Sequence, residues 1–469
     1  MTLATVPRYD ESSVGTVGER AVVLGGSVAG LCAARVLRDA FESVVVLDRD
    51  PLPADPVARD GAPQTRHPHV LLEGGRATLE DLFPGFSETL LEAGGLLVDA
   101  SRQLREFNGG DYIADAPGRL PTYCASRPLL EAVLRQRTRG LECVDLRGEH
   151  RFTGYETDAT GQTVTGVTGR DGEGEPFTLA ADLVVDATGR TSRTPSWLAE
   201  TGFQRPATDE VTIEVAYSTI RVERPPDDRR LFLVAPTAPR TRGGALIPAE
   251  DGQWEVILQG VHGDDPPTDP EPLQRFADSL PADEFGATLA AHEWRTAQAE
   301  RYPYPASRRH RYEALDRFPA GLVVTGDALA SFNPIYGQGM SVAALEALGL
   351  HHALADGGLD ELGPRFFDRA AAIVDGVWRV VVGSDFAFAE TSGPEPTGAG
   401  VTNWYMDRFV RRAHDDPFLS EVYARVTRLE ASPTALFRPK VLWRVFRPFG
   451  GGSEDDRPET PGSEGDRAV

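Results

Sequence analysis

At 469 residues the chain exceeds what one hydrophobic core usually organises, so two or three packed domains are expected. Its formal charge of −23 leaves no basic stripe to neutralise phosphates, which argues against nucleic-acid binding. Three unevenly spaced cysteines, Cys32, Cys124 and Cys143, form neither a redox dithiol nor a metal site, and no apolar run approaches the ~18 residues of a membrane span. Free thiols and the lack of a basic-then-apolar leader point to a cytoplasmic protein.

Residues 1–18 read as a loose leader. From Arg20 to Asp50 the pattern is strand, glycine turn, helix, strand. The strand Ala21 to Leu24 runs into Gly25-Gly26-Ser27-Val28-Ala29-Gly30, with Gly25 for the tight turn and Gly30 for close helix packing. The free N–H groups of Val28 and Ala29 at the helix start can hold a pyrophosphate. Ser27 stands where the middle glycine of G-x-G-x-x-G belongs, and its Cβ pushes the pyrophosphate outward or shifts the turn. The second strand, Ser43 to Leu47, ends at Asp48, near the ~20-residue offset at which an acid bonds the adenosine ribose. These features predict dinucleotide binding.

Further along, His67 and His69 have the i, i+2 spacing of one strand face but lack a third metal ligand, so they read as pocket or structural histidines; no metal is expected. Residues 211–261 alternate as strands, with a turn at Glu250-Asp251-Gly252, and predict an antiparallel sheet. Tyr217, Phe232 and Trp254 on that sheet are candidate substrate contacts, against the plainer reading of core packing. The cluster Arg308-Arg309-His310-Arg311 reads as a solvated face that pairs with local acids. Leu322 to Leu345, LVVTGDALASFNPIYGQGMSVAAL, is a strand ending at Gly326-Asp327, a loop with Pro334, and an Ala-rich helix. It presents an acid and then a helix N-terminus to one ligand. Beyond Leu350 the patterns are helical, and 450–469 has the composition of a disordered acidic tail.

The GGSVAG turn with Asp48-Arg49, the DATGR stretch from Asp186 to Arg190, and GDALASFNPIYGQGMS together resemble the FAD-dependent monooxygenases built on the p-hydroxybenzoate hydroxylase fold. The resemblance implies an α/β FAD-binding Rossmann-like domain of the glutathione-reductase type, with an inserted antiparallel-sheet substrate domain and C-terminal helices. Boundaries are expected at 19–204 with 306–355 for FAD binding, 205–305 for the sheet and 356–449 for the helices, with 73–120 a candidate contributor to the substrate domain. It implies flavin contacts from Arg66 and Arg127, ribityl contacts from Asp327, and close approach of Gly326, Asn333, Pro334, Gly337, Gln338, Gly339 and Met340 to the ring. The helix opening near Ser341 would aim its positive end at the reduced flavin.

In appearance the chain is nearest to squalene-epoxidase-like enzymes and to the flavin epoxidases of polyether biosynthesis. That implies a flavin C4a-hydroperoxide, with O2 as co-substrate, epoxidising an apolar polyene of polyketide type. Aromatic hydroxylation and a C=C reduction like that of geranylgeranyl reductases are the alternatives. Hydroxylases of this fold carry Asp-Gly where this chain has Asp186-Ala187. The expectation is therefore that electrons from NAD(P)H arrive through a separate flavin reductase.

Overall fold

The computed structural model describes residues 5–447. A five-stranded parallel sheet runs in the order Leu322–Val324, Leu183–Asp186, Gly18–Leu24, Phe41–Leu47, Val144–Arg147. Its three central strands carry apolar runs, Leu183 to Val185, Ala21 to Leu24 and Val44 to Leu47, because both faces are covered there, whereas the edge strand Val144–Arg147 alternates apolar and charged residues. Ala21, Val23, Val44, Val46 and Val185 pack under the helices Val28–Leu37, Gly339–Gly357 and Leu362–Asp385. Val22, Leu24, Val45 and Val184 pack against the three-stranded antiparallel sheet spanning 151–180.

The second unit is an eight-stranded sheet. Its order is Ala330–Ser331, Glu300–His310, Thr208–Glu223, Gln253–Gly260, Arg242–Ala249, Leu231–Val234, Leu104–Asn108, Asp111–Tyr112. Pairing is antiparallel except between Leu231–Val234 and Leu104–Asn108. The helices Pro270–Asp278 and Glu284–Ala291 cover one face. The strand Glu300–His310 runs straight through the boundary expected at 305, and Leu104–Tyr112 enters the sheet from within 73–120. The helices Ala399–Ala413, Pro417–Thr427 and Pro439–Phe446 share a separate core around Phe409, Leu419 and Val445.

Two expectations are corrected. Residues 5–17 are no loose leader: Val6 and Val14 join the main core, Arg8 pairs with Asp81, and the Tyr9 hydroxyl donates to Asp39. In the arginine cluster Arg308 and Arg311 are partly exposed and pair with the local acids Glu210 and Asp209 as expected, but Arg309 is no surface residue. Arg309 is 1% exposed and pairs with Glu313 and Asp375, because strand alternation turns it inward between Arg308 and His310. The tail at 450–469 lies outside the described residues. Among those residues, no helix is long and apolar enough to cross a membrane.

Candidate active site

The glycine turn leaves no room for side chains. Gly25 has φ +108°, and a Cβ there would stand 2.4 Å from the Ala187 carbonyl oxygen; a Cβ on Gly30 would stand 1.8 Å from that of Gly25. Asp48 does not reach the open cavity in front of this turn. Its carboxylate accepts from Gly26 N–H at 2.6 Å and from Arg59 at 3.1 Å, tying the second strand to the turn. Ser27 stands at the N-cap position but its side chain does not cap the helix; the hydroxyl donates to Glu131 while accepting from Arg127 at 3.0 Å.

Glu131 is the hub of this corner. It is 1% exposed and lies 2.8 Å from Arg127, 3.0 Å from Arg59 and 3.4 Å from Arg135. Burial alone would raise its pKa, but Arg127 and Arg59 outweigh burial and hold it at about 2. Sequence reasoning missed Arg59, Glu131 and Arg135. The i, i+4 series Arg127, Glu131, Arg135 on one helix was the available signal, whereas Arg59 sits in a loop with none.

Arg66 is corrected: its side chain is 43% exposed and pairs with Asp60 at 2.8 Å, away from the cavity. The neighbouring histidines point inward. His67 bonds Thr219 at 2.9 Å between the rings of Tyr217 and Tyr302, and burial, with Arg221 and Arg66, pushes its pKa to about 4. His69 bonds the His67 carbonyl, and burial with Arg127 pushes it to about 3. No group of metal-ligating side chains occurs among the described residues.

On the opposite side, the strand Leu322–Val324 delivers Asp327 on a tight turn that Glu346 clamps. Glu346 accepts from Thr325 Oγ1 and Gly326 N–H, each at 2.7 Å, and burial raises it to about 7. A lone glutamate in the apolar stretch SVAALEALGL was its sequence signal. The Asp327 carboxylate faces the cavity, and enclosure raises its pKa although Arg127 and Arg190 pull it back.

Asn333 is 1% exposed; its side-chain oxygen accepts from Ile335 N–H and its amide donates to Asp385 at 2.9 Å. The Tyr336 hydroxyl donates to the same Asp385 oxygen at 3.2 Å, and the other Asp385 oxygen has no partner. Gly337 has φ +66° and leads into the helix that starts at Gly339. There, Gln338 Oε1 and Ser341 Oγ are buried without partners.

Between these walls lies a cavity of about 1320 Å³. It is bordered by Ser27, Val28, Ala29, Arg49 and Arg127 on one side and by Gly326, Asp327 and 331–340 on the other. The glycine cradle, the unpartnered Gln338 oxygen and the inward carboxylate of Asp327 fit a bound dinucleotide. Gly25, Gly26, Gly30 and Asp48 lie behind the wall and shape it.

Strand alternation sorts the candidate substrate residues. Tyr217 borders the cavity, stacked on Tyr302 at 5.8 Å, together with Ala245, Ile247 and Ile257. Trp254 is corrected: it has the parity of Val256 and Leu258 and packs on the far face, its indole N–H donating to the Arg230 carbonyl. Phe232 borders the cavity but clusters with that same far-side core. The DATGR stretch forms the turn beside Gly25. Asp186 is 1% exposed and accepts from Thr188 N–H, Thr188 Oγ1, Ser192 Oγ and Thr194 Oγ1.

The FAD binding domain family matches residues 19–358. "Protein Rv3254" of Mycobacterium tuberculosis is 34% identical over 434 residues, which span 88% of this chain and 90% of that protein. Among solved structures, the flavin-dependent brominase Bmp2 superposes with a TM-score of 0.62 at 16% identity, covering 90% of this chain and 97% of its own. The p-nitrophenol 4-monooxygenase PnpA from Pseudomonas putida superposes with a TM-score of 0.59 at 19% identity, covering 89% and 99%. At such identities the likeness to solved structures is one of fold.

Proposed function

We propose that this chain, which belongs to the FAD binding domain family, is an FAD-dependent monooxygenase that epoxidises C=C bonds of an elongated apolar polyene. One atom of O2 enters the double bond and the other leaves as water; two electrons come from NAD(P)H. The observation that carries the reading is the reach of the cavity of about 1320 Å³ beyond the walls that border the cofactor, Ser27 to Ala29 and Asp327 to Met340. It continues from the Asn333 loop, along Ile247 and Ile257, to the C-terminal helices at Tyr423 and Phe437.

When bound and reduced, FAD supplies the O2 activation and oxygen transfer. The protein's part is to bind, orient and exclude water. The start of the helix Val28–Leu37 and Arg127 would hold the pyrophosphate, Asp327 the ribityl hydroxyls, and Asn333 to Met340 the ring. Asp385 fixes the conformation of that loop through Asn333 and Tyr336. Burial keeps His67 and His69 neutral at pH 7, so neither imidazole adds charge to this wall. Held near 4 and near 3, both are weak bases; an apolar double bond needs none there, whereas a phenol benefits from a stronger one.

The test is turnover of a polyene with supplied reduced FAD under isotopically labelled O2. Label in the epoxide supports the reading, and unlabelled or saturated product sinks it in favour of a reductase, which would also work anaerobically. Aromatic hydroxylation is the second reading, favoured by the Tyr217–Tyr302 stack on the cavity wall. Faster turnover of phenols than of polyenes would establish it. The committed Asp186 and the neighbouring Ala187 support delivery of electrons by a separate flavin reductase; rapid anaerobic bleaching of bound flavin by NADPH alone would refute that.

A further inference from the structure

At its far end the cavity meets a small polar cluster that the flavin reading does not use. The strand Leu104–Asn108 alternates, so Leu104, Glu106 and Asn108 border the cavity while Phe107 packs with Tyr112 on the other face. Across from it the helix Pro417–Thr427 brings in Tyr423. The Tyr423 hydroxyl donates to Glu106 Oε1 at 3.0 Å, and the Asn108 amide donates to Tyr423 Oη at 3.1 Å and to Glu106 Oε1 at 3.3 Å. Both contacts fall on one carboxylate oxygen. Among the described residues, Glu106 Oε2 accepts no hydrogen bond. This strand lies six places from Ala330–Ser331 in the sheet, about 29 Å along its surface at ~4.8 Å per strand.

We propose that Glu106, Asn108 and Tyr423 form a polar subsite at the end of the cavity remote from Asp327, which recognises a hydroxyl group at the far end of an elongated apolar substrate. The inference rests on the apolar-substrate reading above. A carboxyl on an apolar wall with one oxygen open is costly unless a ligand or water completes it. Burial raises the Glu106 pKa against the pull of Tyr423 and Asn108, which disfavours the ionised form that a cationic end group needs. Arg428, which also borders the cavity, is taken by Glu430. A hydroxyl donates to the carboxylate and accepts from the carboxylic acid, so it pairs in either state.

Calorimetric titration of the full chain with geranylgeraniol and with its methyl ether tests this, in alkaline buffer where Glu106 is ionised and only the alcohol can donate to it. One well-made buried hydrogen bond predicts about tenfold tighter binding of the alcohol by the native chain. Glu106→Leu and the milder Tyr423→Phe should each reduce that preference to about twofold or less, without weakening the ether. Equal binding of alcohol and ether by the native chain, or a preference that survives both substitutions, overturns the subsite alone. Failure of either ligand to bind overturns it together with the apolar-substrate reading.

Discussion

Glu131→Gln separates the role of the charge at the cofactor corner from the role of its shape. In the native chain three carboxylates, Glu131, Asp48 and Asp50, face three guanidiniums, Arg59, Arg127 and Arg135. The amide keeps the size and a hydrogen-bonding oxygen but removes one of the three negative charges. With a native pKa of about 2, Glu131 is never neutral at ordinary pH, so the substitution creates a state the protein does not otherwise visit. Glu131 is 1% exposed, and removing one partner of a buried ion pair costs about 3–5 kcal/mol. At roughly 2 °C per kcal/mol in a large chain, thermal unfolding of the cofactor-free variant should fall by about 6–10 °C. A pyrophosphate held by Arg127 restores negative charge to this corner, so the gap between native and variant should narrow on saturation with FAD. A cofactor-free variant within about 1 kcal/mol of native would refute the charge argument. A gap unchanged by FAD would refute the placement of the pyrophosphate.

Gly30→Ala forces a Cβ onto the Gly25 carbonyl oxygen, and the purified variant should have lost its bound flavin; a native flavin-to-protein ratio sinks the close-packing argument. His67 titrates near 6.5 when unfolded and near 4 when folded, so the unfolded state binds the extra proton between those values and stability falls as pH drops through them. Between pH 6.5 and 5 this is worth up to about 2 kcal/mol, which His67→Asn should abolish in denaturant titrations at the two pH values. Glu255, Glu346 and Asp385, raised to about 7, oppose it, since they hold protons that the unfolded chain releases near 4; the difference between native and variant isolates the histidine. Trp254→Ala should cost about 3–5 kcal/mol of stability while leaving substrate preference unchanged. Tyr217→Leu should instead shift the substrate profile, and the reverse pattern would show that the sheet faces are assigned the wrong way round.

What the sequence disclosed was mostly backbone. Gly25 and Gly30 have no alternative at their positions, and GGSVAG, DATGR and the segment from Leu322 carry enough local pattern to be read as strand, turn and helix. Side-chain destinations were harder. Arg59 lies in a loop and Arg66 ends the short 3-10 turn Pro63–Arg66, seven residues apart, and only the folded chain shows that the outer one meets solvent while the other reaches Asp48 and Glu131. Trp254 and Tyr217 lie on neighbouring strands of one sheet, and a single step of parity sends one to the far core and the other to the cavity. Residues 5–17 lacked any periodicity, because their hold on the core rests on isolated contacts such as Val6, Tyr9 and Val14 rather than on a repeating face.

Because the helices after Ala399 supply one wall of the cavity while none of the cradle around Gly25 depends on them, the molecule divides its labour between a cofactor-holding half and a separate ceiling. Related chains could diverge in the size and shape of the molecule they accept by remodelling this ceiling alone. A chimera that transplants 399–447 from a relative should then trade substrate range while keeping the donor-independent redox behaviour of its flavin.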